Sequence, residues 1–137
     1  MKSSILLLTA ALGLLLVPTN TRADETPLGK QMEATNDAYK ALRRETDPAK
    51  GAALAREAQE AILKGIPELP ELVKSMADGE AKSKATATYR KLMGQVFVAL
   101  CEVEEAFLAK DLEKVATLVD TLKDLKKEGH DQFMDEE

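Results

Sequence analysis

The sequence predicts an all-α protein, an antiparallel up-down-up-down four-helix bundle that follows a cleaved N-terminal signal peptide. Three observations indicate this fold. Four segments repeat apolar residues at steps of three and four, the period of a helix with one buried face. Two of the three links between them are short, so the helices they join must run antiparallel. No stretch of the mature chain alternates apolar and polar residues as a half-buried strand does.

Residues 1–23 have the three parts of a secretory signal peptide. Lys2 supplies a positive charge, Ile5 to Val17 form an apolar segment that is short for a bilayer span, and Thr21 to Ala23 give a small-x-small cleavage pattern. We therefore predict a periplasmic or otherwise exported protein whose mature domain is residues 24–137. An uncleaved membrane anchor is the alternative.

The mature chain is acidic and contains one cysteine. Without Lys2 and Arg22, 17 basic residues stand against 24 acidic ones, a net charge of −7. Such a surface is a poor match for nucleic acid or anionic lipid, so we predict no nucleic-acid partner and no membrane association of the mature form. Cys101 alone cannot form an intrachain disulfide. We expect a monomer that packing or a ligand stabilises.

The first two helices each begin with a capping residue followed by proline. With Thr26 as the cap, helix one is predicted to continue to about residue 44, and with Asp47 as the cap, helix two is predicted to continue to about residue 64. Gly65 is expected to end helix two. The buried face of helix two is rich in alanine, which lets a neighbouring helix approach closely or leaves room for a flat group.

A long connection separates the second predicted helix from the third. Two prolines forbid a continuous helix over residues 65–79, where a short helical turn could cover one end of the bundle. We predict helix three over 80–108, with the richest apolar face in the chain, and helix four over 111–134. The link of residues 109–111 is short enough to make these two helices antiparallel neighbours.

His130, the only histidine, lies near the end of the last helix. At 100° per residue it falls about 20° from Val119 on the apolar stripe, so its ring is predicted to point toward the core. A buried imidazole needs a hydrogen-bond partner or a metal ion. Met32, near the start of helix one, is predicted to lie at the same end of the bundle, with both residues roughly 6 to 9 Å from that end.

A thioether and an imidazole can together occupy the two axial positions of a haem iron. Met93 is the rival to Met32, whereas Met134 shares the helix of His130 and cannot reach the opposite face of a haem. A methionine is often only core filling, and a histidine near a helix C-terminus often only complements the helix dipole. One histidine and one cysteine cannot complete a tetrahedral zinc site or a carboxylate-bridged diiron site.

The segments around the two candidate ligands resemble a known family. Residues 28–37 and 127–133 are similar to the two haem-ligand segments of the soluble periplasmic cytochrome b562 family, itself a standard example of the up-down-up-down bundle. The resemblance extends over the whole mature chain. It implies a noncovalent b-type haem, with Met32 and His130 as the axial iron ligands, and electron transfer as the activity.

The resemblance also implies haem-packing residues. Counting back from His130 without gaps, Tyr89 and Met93 match the aromatic packing positions of the family, with Met93 in place of an aromatic ring. Lys126 matches a basic residue one turn before the histidine. The haem hypothesis adds Ile62, Ile66 and Phe133 as candidate walls, so the full set of candidate wall and edge residues is Tyr89, Met93, Ile62, Ile66, Lys126 and Phe133.

Three hypotheses about function follow. The first is an electron carrier, not an enzyme, which binds one haem b between Met32 and His130 and meets a redox partner protein that the sequence does not identify. The second is an exported bundle without a cofactor, which acts in protein interaction or stress response. The third is a divalent-metal sensor or buffer, for which carboxylates would have to converge with His130.

Overall fold

The computed structural model describes residues 25–134, and every regular element in that range is helical. In chain order the elements are α1 (Pro27–Leu42), α2 (Pro48–Gly65), α3 (Glu71–Lys74), α4 (Glu80–Leu108) and α5 (Leu112–Phe133). The short α3 is a single turn within the long connection. The other four helices are the ones that the apolar periodicity predicts. The predicted signal peptide lies outside the described residues.

The long helices pack in sequence, α1 against α2, α2 against α4, and α4 against α5. This order confirms the predicted four-helix bundle. Lys126 Nζ donates to Asn36 Oδ1 at 2.7 Å, so α1 and α5 are neighbours as well. Unlike the other three pairs, however, these two helices do not bring their Cα atoms within 8 Å over a shared length. We call the interface between them the α1–α5 seam.

One apolar core runs through the bundle. No polar or charged residue in the range 25–134 is buried, so removal of apolar surface from water is the main source of stability. On α2 the buried residues Ala52, Ala55 and Ala58 are at most 1% exposed, and their small side chains let α1 and α4 approach this helix closely. The largest fully buried side chains are Phe107, Leu42, Ile62, Leu100, Val73 and Val103.

The helix starts have the predicted caps. The side chains of Thr26, Asp47 and Asp111 each accept a hydrogen bond from the backbone N–H three residues later, at 2.9, 2.8 and 3.0 Å. One glycine differs from its predicted place. Gly65 is the last residue of α2 instead of following it. Gly94 continues α4, and a Cβ built on it would meet nothing within 4 Å, so no close contact requires glycine there.

The link between α4 and α5 ends the first helix with a Schellman motif. Asp111 N donates to Ala106 O and Lys110 N donates to Phe107 O, both at 2.9 Å. Lys110 adopts the left-handed conformation that this motif requires, with φ of 59°. Asp111 therefore closes α4 through its backbone and opens α5 through its side chain, which explains how so short a link reverses the chain.

Lys110→Gly is expected to raise the free energy of unfolding by about 0.5 to 1 kcal/mol, because glycine adopts positive φ without the steric cost that a Cβ incurs. The neighbouring Ala109 is the matched control, since its φ is −79° and glycine there only adds chain entropy to the unfolded state. Urea unfolding of both variants tests this. A Lys110→Gly protein no more stable than wild type would contradict it.

Candidate functional site

The start of α1, the end of α2, the first half of α4 and the end of α5 meet at one end of the bundle, around Gly65. A Cβ built on Gly65 would lie 2.9 Å from Met93 Cε and 3.3 Å from Met32 Cε. Tyr89 Oη donates to Gly65 O at 2.8 Å. The Tyr89 ring meets the Phe133 ring edge to face, with centroids 5.6 Å apart and planes at 82°. Four of the predicted site residues are thus brought together.

Of the two predicted isoleucines, Ile62 lies in the last turn of α2 and Ile66 directly follows that helix. Ile62 is 1% exposed and belongs to the core, and Ile66 is half-buried against that core. Met93 is 5% exposed, whereas Met32 is half-buried. Of the two candidate methionines, Met32 is therefore the more accessible, and the walls around it are apolar.

His130 differs from its predicted environment, since its side chain is exposed. Periodicity places it in line with the buried stripe, and the preceding residue does contact the core, because a Cβ on Gly129 would lie 3.3 Å from Leu92 Cδ2. The stripe is uncovered here because α1 does not pack closely against α5. Within the described part of the chain the imidazole makes no hydrogen bond or ion pair with another residue.

Lys126 is exposed but engaged across the α1–α5 seam. Besides its hydrogen bond to Asn36, its Nζ lies 5.8 Å from the centroid of the Tyr39 ring, and Arg43 Cζ lies 5.9 Å from the same centroid. Neither Asn36 nor Tyr39 was predicted from the sequence as a site residue. The only signal for Asn36 is its spacing, one helical turn after Met32, and that signal is weak without knowledge of the partner.

The donors at this end are a thioether and an imidazole on two helices that face each other. This pair suits the axial positions of a haem iron, and the apolar side chains beside it suit the porphyrin. Among residues 25–134 no group of three or more His, Cys, Asp or Glu side chains could hold a metal ion. The converging carboxylates that the divalent-metal hypothesis needs are therefore not found in this part of the chain.

Tyr89 is held neutral at the site. Burial, reinforced by the negative charge of Glu68, raises the pKa of the Tyr89 phenol to about 12. The phenol therefore keeps its proton, which it donates to the Gly65 carbonyl. This bond ties α4 to the end of α2 beside Met32 and Met93.

The raised pKa of Tyr89 predicts a loss of stability at alkaline pH. The pKa of tyrosine in an unfolded chain is about 10, so the unfolded state releases this proton first as pH rises. The stabilisation of the folded state by the protonated phenol is complete below about pH 10 and is lost by about pH 12. Over this range the free energy of unfolding should fall by about 2 to 3 kcal/mol. Urea unfolding across this range should show a shallower decline in Tyr89→Phe than in wild type or in the control Tyr39→Phe. Equal declines in all three proteins would contradict the assignment.

The family model described as Cytochrome b562 matches residues 27–134, which include all four long helices and both candidate ligands. No curated protein and no solved structure matches the chain. In the described range no helix has the length and apolar character needed to cross a membrane.

Proposed function

Because the chain belongs to the cytochrome b562 family, whose members are haem-binding electron carriers and not enzymes, we propose that Met32 and His130 ligate the iron of one haem b at the α1–α5 seam. The observation that carries this proposal is the placement of a thioether and an imidazole at the same end of two neighbouring helices. Met93 would be a wall residue, because it lies on α4 and is buried.

Each residue of the site has a distinct task in this proposal. The bound haem supplies the redox chemistry, one electron gained or lost at iron, and a Met/His ligand pair favours the ferrous state. Ile62, Ile66 and Phe133 would exclude water from the porphyrin face. Tyr89 would keep the end of α2 in register with α4 through its bond to Gly65. The single cysteine cannot provide the paired thioether attachment of a c-type haem, which supports noncovalent binding.

We further propose that the protein is an exported, periplasmic monomer that exchanges electrons with a redox partner protein. The leader-like residues 1–23 support export, and the acidic mature surface supports a protein partner in preference to nucleic acid or membrane. N-terminal sequencing of the exported protein is expected to begin at Asp24. Retention of residues 1–23 in the exported protein would contradict the cleavage.

Haem titration of the folded protein tests the proposed function. We expect a sharp low-spin Soret band and a visible α band that saturate at one haem per chain, with a melting temperature that rises on binding, because a ligand held only by the folded state stabilises it. Circular dichroism before the titration verifies the fold. A featureless haem spectrum and an unchanged melting temperature in folded protein would instead support the cofactor-free bundle.

A further inference from the structure

In the described part of the chain, one side-chain hydrogen bond joins α1 to α5, that of Lys126 Nζ to Asn36 Oδ1. The other three neighbouring pairs of long helices bring their backbones close over a shared length, and these two do not. Continuous packing therefore fixes the distance between α1 and α5 less firmly than it fixes the distance within each of the other three pairs. A single polar contact has correspondingly more influence on it.

This hydrogen bond lies at a fixed place relative to the proposed ligands. Asn36 follows Met32 by four residues, and Lys126 precedes His130 by four. Because α1 and α5 are antiparallel, both steps lead from the ligands toward the middle of the bundle, by about 6 Å. Residues four apart share one face of a helix. The bond therefore lies about one turn below both ligands, on the same sides of their helices.

The ammonium group of Lys126 is held at two points. A charged donor strengthens its bond to the Asn36 amide oxygen. Its approach to the half-buried Tyr39 ring adds a cation–π attraction. Because Lys126 is exposed, solvent weakens both interactions. Together they give this side chain a defined position across the seam, although each is modest alone.

We propose that Asn36 and Lys126 are positioning residues, which fix the separation of α1 and α5 and through it the separation of the Met32 sulfur and the His130 ring. The inference rests on the proposed function. Groups that orient ligands affect a metal site strongly, because a bond to a metal tolerates little displacement. The thioether, the weaker ligand of the two, would be the first to leave the iron if the seam widened.

Variants of the haem-loaded protein test the pair. Asn36→Ala and Lys126→Leu are each expected to raise the rate of haem release about three- to tenfold, which corresponds to the loss of one modest hydrogen bond. Each should also increase the high-spin fraction of the iron as temperature rises. The double variant should release haem no faster than the single variant with the higher release rate. Lys126→Arg, whose guanidinium can donate to the same oxygen, should behave as wild type.

Lys127→Leu is the matched control, because Lys127 pairs only with Asp131 on its own helix. It should leave haem release and spin state unchanged. Wild-type behaviour in both single variants, additive losses in the double variant, or a Lys126→Arg protein that resembles Lys126→Leu would each overturn the positioning role and leave the proposed function intact. A wild-type protein that binds no haem would overturn both.

Discussion

His130→Ala is expected to lose low-spin haem binding, with an affinity at least about a hundredfold weaker than that of wild type. Removing a ligand should cost at least as much as removing the group that orients one, for which losses of 10- to 100-fold are typical. Met32→Ala should still bind haem through His130, but with high-spin iron and a lower reduction potential, since the thioether favours the ferrous state. Visible spectra and a redox titration measure both results.

Two features make these variants interpretable. The His130 side chain is exposed, so its replacement should change the stability of the haem-free protein by less than about 0.5 kcal/mol. Met93→Leu keeps the volume of the rival methionine and removes its sulfur. A protein that stays low-spin in Met32→Ala and becomes high-spin in Met93→Leu would identify Met93 as the ligand and contradict the assignment to Met32.

Gly51→Ala is expected to lower the free energy of unfolding by about 2 to 3 kcal/mol and the melting temperature by roughly 10 °C. A Cβ built on Gly51 would overlap the ring of Phe107. That ring is 0% exposed and enclosed by the core, so it cannot move aside without displacing its neighbours. The overlap should outweigh the gain of about 1 kcal/mol that alanine usually brings to a helix.

Gly94→Ala is the control for this packing argument. Gly94 also lies inside a helix, but a Cβ built there would meet nothing within 4 Å. The same substitution should therefore stabilise the protein by about 0.5 to 1 kcal/mol. Thermal unfolding of the two variants should shift in opposite directions. Shifts in the same direction would show that contact with Phe107 is not what requires glycine at residue 51.

Local signals in the sequence were sufficient for the helices. Capping side chains and apolar periodicity predicted the start of α1 at Thr26, the start of α2 at Asp47 and the whole span of α4. These signals succeed because a cap and a buried face are properties of one segment. That Met32 and Phe133 lie at the same end of the bundle followed from the predicted up-down-up-down topology, in which each of the two short links reverses the chain.

The parts of the site that depend on neighbours could not be predicted in the same way. Periodicity indicates the direction in which His130 points, but not whether another helix covers that direction, and the ring is exposed. Gly65 was expected only to end a helix, whereas two methionine methyl groups and a tyrosine hydroxyl lie against it. The Asn36–Lys126 bond joins residues 90 positions apart, a separation that no local pattern reports.

The two helices that flank the seam are also the first and last of the bundle, and this order has a mechanical consequence. No loop connects α1 directly to α5, so they can swing apart as on a hinge without stretching any link of the chain. An engineered peptide that joined the end of α5 to the start of α1 would limit how far these two helices can separate at the α1–α5 seam. It should slow the capture and escape of a cofactor equally, and leave the equilibrium between them almost unaltered.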